Sequence, residues 1–230
     1  MMIGSKVDYD ISNLYIPKDG KGDNDYKKSF NITLTIIVKD KDGNVIKRYK
    51  QKSHSPTSNF IGLMLPVSYY NEVQKSWTMT NTSNSTFSYG YPNLWTMYPN
   101  TGNNYPVYIE HIMVGSGSQS NPYSAYNLAL PIANGSGTGQ LLYSAPNLPT
   151  GVAINGSQAY FIISQSYNNQ SGGTITISEV GIILYLQLAG NAVALTSSDS
   201  ILVWYDTLSS PISVGSGQSA VIYYTFSVNA

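Results

Sequence analysis

The chain has no cysteine, which excludes disulfide staples, thiolate nucleophiles and cysteine-ligated zinc. Charge is almost as scarce. Asp, Glu, Lys and Arg make up 10% of the 230 residues, against about 25% in a typical soluble protein. All twelve Lys and Arg lie between Lys6 and Lys75, together with eight acids, for a net +4. Beyond Lys75 only Glu110, Glu179, Asp199 and Asp206 carry charge, for a net −4. Most of the chain therefore lacks phosphate-binding side chains, and no nucleic-acid partner is expected. The one basic cluster, Lys47, Arg48, Lys50 and Lys52, alternates on a presumed strand and fits a solvated edge at least as well. No apolar run reaches membrane-spanning length; Val180–Leu188 is broken by Gly181 and Gln187, so no span is expected. Met1–Asp10 lacks a basic stretch followed by an apolar one, so no secretory signal is expected.

Ser, Thr, Asn, Gly and twenty Tyr stand in place of the missing charge. Tyr and Thr suit a pleated, half-buried surface, whereas Asn, Gly and Ser supply turns, so the exchange favours strands. Few ionisable groups also imply a stability that varies little with pH. Such a surface suits an acidic, hot setting, although Asn134-Gly135 and Asn155-Gly156 count against heat.

The β-branched run Asn31–Val38 and the run Val45–Tyr49 flank Asp42-Gly43, a hairpin signature. Phe60, Leu63, Met64 and Val67 have helical spacing interrupted by Pro66, which predicts a short helix within 54–75. Trp77–Tyr105 is rich in Asn, Ser, Thr and aromatics, and reads as an inserted hairpin or long loop. Strands are expected over Val107–Val114, Gln140–Tyr143, Gln158–Ser166, Thr174–Leu188, Ile201–Leu208 and Ala220–Val228. The predicted fold is all-β, a β-sandwich or jelly roll with an N-terminal β-hairpin and at most one short helix. Three regions are expected: a charged hairpin region (1–75), an aromatic insertion (76–106) and a sandwich body (107–230), which together form either several units or one domain.

Signals for chemistry are poor. His111, within Tyr108-Ile-Glu-His-Ile-Met-Val114, reads as a structural side chain on one strand face, and neither it nor His54 stands beside a distinctive nucleophile. Glu110 and Glu179 are the residue types of a glycosidase pair, but Glu179 reads better as an acceptor of backbone hydrogen bonds at a strand bend. Gly115-Ser-Gly-Ser-Gln-Ser120 lacks the third glycine of a dinucleotide fingerprint. Asp19, Asp23 and Asp25 do not match a calcium loop. No metal or cofactor is expected. Sequons occur at Asn31, Asn81, Asn84, Asn134, Asn155 and Asn169, in a chain where many arise by chance.

Three blocks carry a resemblance. The first is Ile109-Glu-His-Ile-Met-Val-Gly-Ser-Gly-Ser-Gln-Ser-Asn-Pro122 with Tyr126-Asn-Leu-Ala-Leu-Pro-Ile132. The second is Ile175-Thr-Ile-Ser-Glu-Val-Gly-Ile182. The third is Leu208-Ser-Ser-Pro211 with Gln218-Ser-Ala-Val-Ile-Tyr-Tyr-Thr-Phe226. In order and spacing they resemble structural proteins of tailed phages and crenarchaeal viruses, through Gly115, Gly117, Pro122, Leu128, Pro131, Glu179, Gly181 and Pro211. The resemblance implies a non-enzymatic virion component of tail, nozzle, turret or capsid-vertex type. It further implies a homo-oligomer that contacts other virion proteins and resides in the particle. Two other readings stand beside it. One is a host-adhesion or carbohydrate-binding module that stacks host-surface glycans on Trp77, Tyr89, Tyr91, Trp95 and Tyr98. The other is a subunit of an archaeal surface filament joined by strand addition. Those five aromatics are also the expected contact surface for assembly.

Overall fold

The computed structural model describes residues 29–53, 55–64, 77–89, 107–186 and 199–229. The fold is all-β, with two antiparallel sheets packed as a sandwich, an N-terminal hairpin and one short helix. Strands β1 (Ser29–Lys39) and β2 (Val45–Lys52) form the hairpin. Helix α1 spans Ser58–Met64, and a small hairpin pairs β3 (Trp77–Thr80) with β4 (Thr86–Tyr89). Then follow β5 (Val107–Gly115), β6 (Leu142–Tyr143), β7 (Ala153–Asn155), β8 (Gln158–Asn168), β9 (Ile175–Leu186), β10 (Asp199–Val214) and β11 (Ser219–Asn229). The large sheet runs β2-β1-β11-β8-β6, with β7 also paired to β8, and the small sheet runs β10-β9-β5.

Alternation builds the large sheet's inner face. Ile32, Leu34, Ile36 and Val38 of β1 are buried and stand opposite Phe226, Tyr224, Ile222 and Ala220 of β11. The hairpin turns where Asp40 accepts the amides of Asp42 and Asn44 on its carboxylate and Gly43 adopts φ +86°. That left-handed conformation costs Gly little. Because β1 pairs with β11 along its whole length, the N-terminal hairpin and the C-terminal strands share one sheet and one core.

The small sheet is covered on both sides. Ile112, Val114, Ile177, Val180, Ile182, Ile201 and Val203 join the main core. Leu202, Tyr205 and Ile183 face the other way, and pack with Ala125 and Leu128 from the loop that follows β5. Every residue from Ile201 to Asp206 is consequently buried, as expected of a strand enclosed on both faces.

Two features differ from the sequence expectation. Strand β10 continues through Pro211 to Val214, because Leu208–Pro211 forms a bulge between Thr207 and Ile212 in its pairing with β9. Pro tolerates such a site, having no N–H to give to the ladder. Strand β7 was not expected; its three exposed residues have no apolar alternation to betray them. The hairpin β3–β4, the described part of the aromatic insertion, is docked on the body. Met79 is fully buried, and Asn59 of α1 hydrogen-bonds both Thr80 backbone groups, at 2.8 Å and 3.1 Å. Helix α1, Ser58–Met64, falls within the stretch 54–75 where a short helix was expected.

Side chains close both flanks of the sandwich. At one, the Ser209 amide in the β10 bulge donates to the Tyr49 hydroxyl of β2 at 2.8 Å, and Gln51 Nε2 donates to the Thr207 carbonyl at 3.1 Å. At the other, Gln165 Oε1 accepts the Ile112 amide at 2.6 Å, and the Tyr167 hydroxyl donates to the Ile112 carbonyl.

Strand β11 lies between β1 and β8 and contributes three fully buried side chains, Ala220, Ile222 and Tyr224. A chain truncated before Ala220 is expected to yield no soluble folded protein. Circular dichroism and gel filtration check this, and a stable truncation would show that β11 is peripheral.

Candidate functional site

An acid within the apolar run Ile175–Ile182 has either to reach the surface or to find donors. Glu179 does the second and is fully buried. Its Oε1 accepts the amides of Leu130 at 2.7 Å and Gly117 at 3.1 Å. Its Oε2 accepts the Ala129 amide at 2.9 Å and the Tyr205 hydroxyl at 2.8 Å. Among the described residues no Lys, Arg or His pairs with it. An ionised carboxylate offers acceptor sites alone, and four donors fill them.

The neighbouring glycines make this approach possible. Gly115 stands opposite Glu179 in the β5–β9 ladder. A Cβ on Gly115 would lie 2.4 Å from Glu179 Oε1 and 2.7 Å from the Leu130 carbonyl, and one on Gly117 would lie 2.9 Å from the Leu130 amide. Gly181 admits Leu202, whose Cδ1 would be 2.5 Å from an added Cβ. Pro131 bridges to Gly115, and Ser116 donates to the Leu130 carbonyl at 2.9 Å. Leu128 is buried beneath the loop. Six of the eight pattern residues thus meet at one point. The other two lie apart: Pro122 opens a short 3-10 turn within the same loop, and Pro211 sits in the β10 bulge.

Tyr205, which sequence reasoning missed, links the node to the loop by also accepting the Gln119 amide at 2.8 Å. Burial, with Glu179 adding to it, pushes its phenol up to about 12. A second buried acid, Asp206, accepts hydrogen bonds from Ser53 Oγ at 2.5 Å and from the Tyr224 hydroxyl at 2.9 Å. Ser53 in turn accepts the indole N–H of Trp204. The signal for Glu179 was available in the sequence: an acid inside a strand, with no base in that part of the chain. Two of the four acids beyond Lys75 are therefore core acceptors.

The loop held by Glu179 forms one wall of an open groove of about 620 Å³. The turn between β3 and β4 forms the other. Asn81 Oδ1 caps that turn by accepting the amides of Ser83 and Ser85, and Asn127 Nδ2 donates to the Thr82 carbonyl at 3.0 Å, tying the walls together.

The remaining candidates are dispersed. Glu110 occupies a bulge in β5 and accepts Ser200 Oγ at 2.6 Å. It lies five residues along the strand from the position opposite Glu179, about 16 Å at strand rise, too far for a glycosidase pair. His111 lies 3.9 Å from Glu110 and edge-on to Tyr143. Burial lowers its pKa, the nearby Glu110 charge opposing this. Among the described residues no hydroxyl hydrogen-bonds His111, so the arrangement a triad needs is not formed there. Trp77 and Tyr89 pair through their backbones at the end of the β3–β4 hairpin. Tyr91, Trp95, Tyr98, His54 and the Asp19, Asp23 and Asp25 loop lie outside the described residues. Lys47, Arg48, Lys50 and Lys52 are exposed on β2, an edge strand. The sequon at Asn169 is buried, and its amide donates to the Gly173 and Val214 carbonyls, both at 2.7 Å. Among the described residues no helix is long and apolar enough to cross a membrane. Comparison with protein-family models, curated proteins and solved structures returns no significant match.

Glu179→Gln turns an amide N–H₂ toward donors, and is expected to lower unfolding free energy by about 3 kcal/mol; denaturant titration checks this, with unchanged stability as the contrary result. A second expectation concerns alkali. Burial holds Tyr143 and Tyr205 up to about 12, and raises Tyr167 and Tyr224 well above the ordinary tyrosine value. Unfolded tyrosines ionise near 10. The stability these neutral phenols contribute is therefore complete below that pH and is lost as pH rises through the folded values. Phenolate absorbance should leave a fraction of the tyrosines un-ionised until the fold is lost cooperatively. Titration of all twenty near pH 10 with the fold intact would contradict it.

Proposed function

We propose that this chain is a structural subunit of a virus particle that associates with copies of itself and with other virion proteins and performs no catalytic step. The observation that carries the assembly part is a row of apolar side chains left open at one end of the large sheet. The register sets Phe30, Val228, Ala159 and Ile154 side by side across β1, β11, β8 and β7. One step inward on the same face, Ile32 is buried and Phe226 stacks on Phe161 with ring centroids 4.7 Å apart. At the row itself Phe30 is 63% exposed and Ile154 79%.

The row is about 14 Å long at ordinary strand spacing and contains no charge. Such a patch is self-complementary, so a second copy fits it about a two-fold axis. Exposed apolar groups standing together in this way mark contact surfaces more often than scattered ones do. Strand addition at the sheet edges is less favoured. The edge strand β2 carries four exposed cations, and the Ile112 amide and carbonyl of β5 are already taken by Gln165 and Tyr167. These points favour face-to-face assembly over a filament joined by strands.

The virion assignment rests on the resemblance. Its support here is that Gly115, Gly117, Leu128, Pro131, Glu179 and Gly181 meet at one packing node, as a structural signature would. An archaeal host and an acidic, hot habitat belong to the same proposal, and rest on composition.

Native mass spectrometry of the full chain tests the assembly claim. A defined oligomer is expected, with Ile154→Lys and Phe30→Lys reducing it to monomer at unchanged melting temperature. A chain that stays monomeric at every concentration, or an oligomer indifferent to both substitutions, would sink the proposal.

A further inference from the structure

We propose that the groove between the β3–β4 turn and the loop 116–130 binds a neutral saccharide. Three features of the groove point to that chemistry. First, its walls are rigid where they matter: one hangs on the Glu179 carboxylate, the other on Asn81 and on the bond from Thr82 to the Ser200 carbonyl at 2.9 Å. A ligand would meet a preformed site and lose little to ordering it.

Second, the groove presents uncommitted hydrogen-bonding groups. Thr82, Ser83, Asn84, Ser118, Ser120 and Tyr126 line it, and none makes a side-chain hydrogen bond to another described residue that would occupy its outward polar end. Asn84 is held there in a left-handed conformation, φ +62°, the one described non-glycine residue with positive φ. Asn tolerates that region better than most residues, and Asn84 is among the residues that line the groove.

Third, among the described residues no Asp, Glu, Lys, Arg or His lines the groove, while Tyr126 offers an exposed ring. A charged ligand would lose hydration with no partner in return. A sugar ring has an apolar face and a rim of hydroxyls, so Tyr126 supplies a stacking surface and the amides and hydroxyls supply mutual donors and acceptors. The volume lies in the range of small-ligand sites, about 300–1,000 Å³, enough for one or two sugar units. The site does not depend on whether the chain assembles, nor on the aromatic residues 91–98.

The test is a glycan array carrying neutral hexose and N-acetylhexosamine oligosaccharides beside sialylated and sulfated ones, probed with the full chain, Tyr126→Ala and Ser120→Arg. Tyr126 is exposed and Ser120 lies in the loop surface, so both variants are expected to melt with the parent chain. The expected result is retention on one or more neutral glycans, weakened about tenfold by the loss of ring stacking in Tyr126→Ala and abolished by Ser120→Arg, which fills the groove. No retention on any neutral glycan would overturn the proposal, as would retention that both variants share. Binding confined to sialylated or sulfated glycans would overturn the neutral class.

Discussion

A carboxylate enclosed without a counter-ion is the interaction on which this architecture turns. Removing the Glu179 charge from water costs several kcal/mol, and only close donors recover it. Three come from backbone amides of the loop that follows β5, and the fourth from Tyr205. Hydrogen bonds to a charged group contribute about 1.5–3 kcal/mol each, so four offset the desolvation. They also satisfy loop amides that would otherwise be covered without partners. The loop is thereby pinned across the outer face of the small sheet, where Leu128 and Ala125 seal Ile183, Leu202 and Tyr205. Remove the carboxylate, and that second core and the groove wall lose their support together.

The same economy recurs elsewhere. With so few charges, the chain uses Tyr, Gln, Asn and Ser to join its layers. Tyr49 and Gln51 fasten β2 to the β10 bulge, Gln165, Tyr143 and Tyr167 fasten the β8 side to β5, and Asn59 fastens α1 to β3. Tyrosine suits this task because it fills core volume while its hydroxyl reaches a carbonyl at the margin. The raised ionisation of the buried phenols is the electrostatic trace of that arrangement.

Much of this was legible in the residues. Alternating β-branched and aromatic runs located most of the long strands, Asp42-Gly43 located the hairpin, and the spacing of Phe60, Leu63 and Met64 located α1. Glu179 stood out as an acid in an apolar strand, and its reading as a backbone acceptor agrees with its geometry. The rest depended on tertiary context. No local pattern distinguishes β7, whose pairing with β8 alone makes it a strand. The bulge at Leu208–Pro211 has no local mark either, so the strand was expected to stop at Leu208. Asp206 hides within Val203-Trp-Tyr-Asp206, where apolar neighbours speak of a strand and only a three-dimensional view reveals Ser53 and Tyr224. The groove joins residues more than thirty positions apart, so nothing in either stretch announces it.

Native-state hydrogen exchange of the Gly117, Ala129 and Leu130 amides tests the central claim most directly. If Glu179 holds the loop as described, these three amides exchange as slowly as those of β9, although they belong to no strand or helix. Exchange as fast as that of the exposed turn 135–139 would contradict the account, and would mean that the carboxylate does not organise the loop.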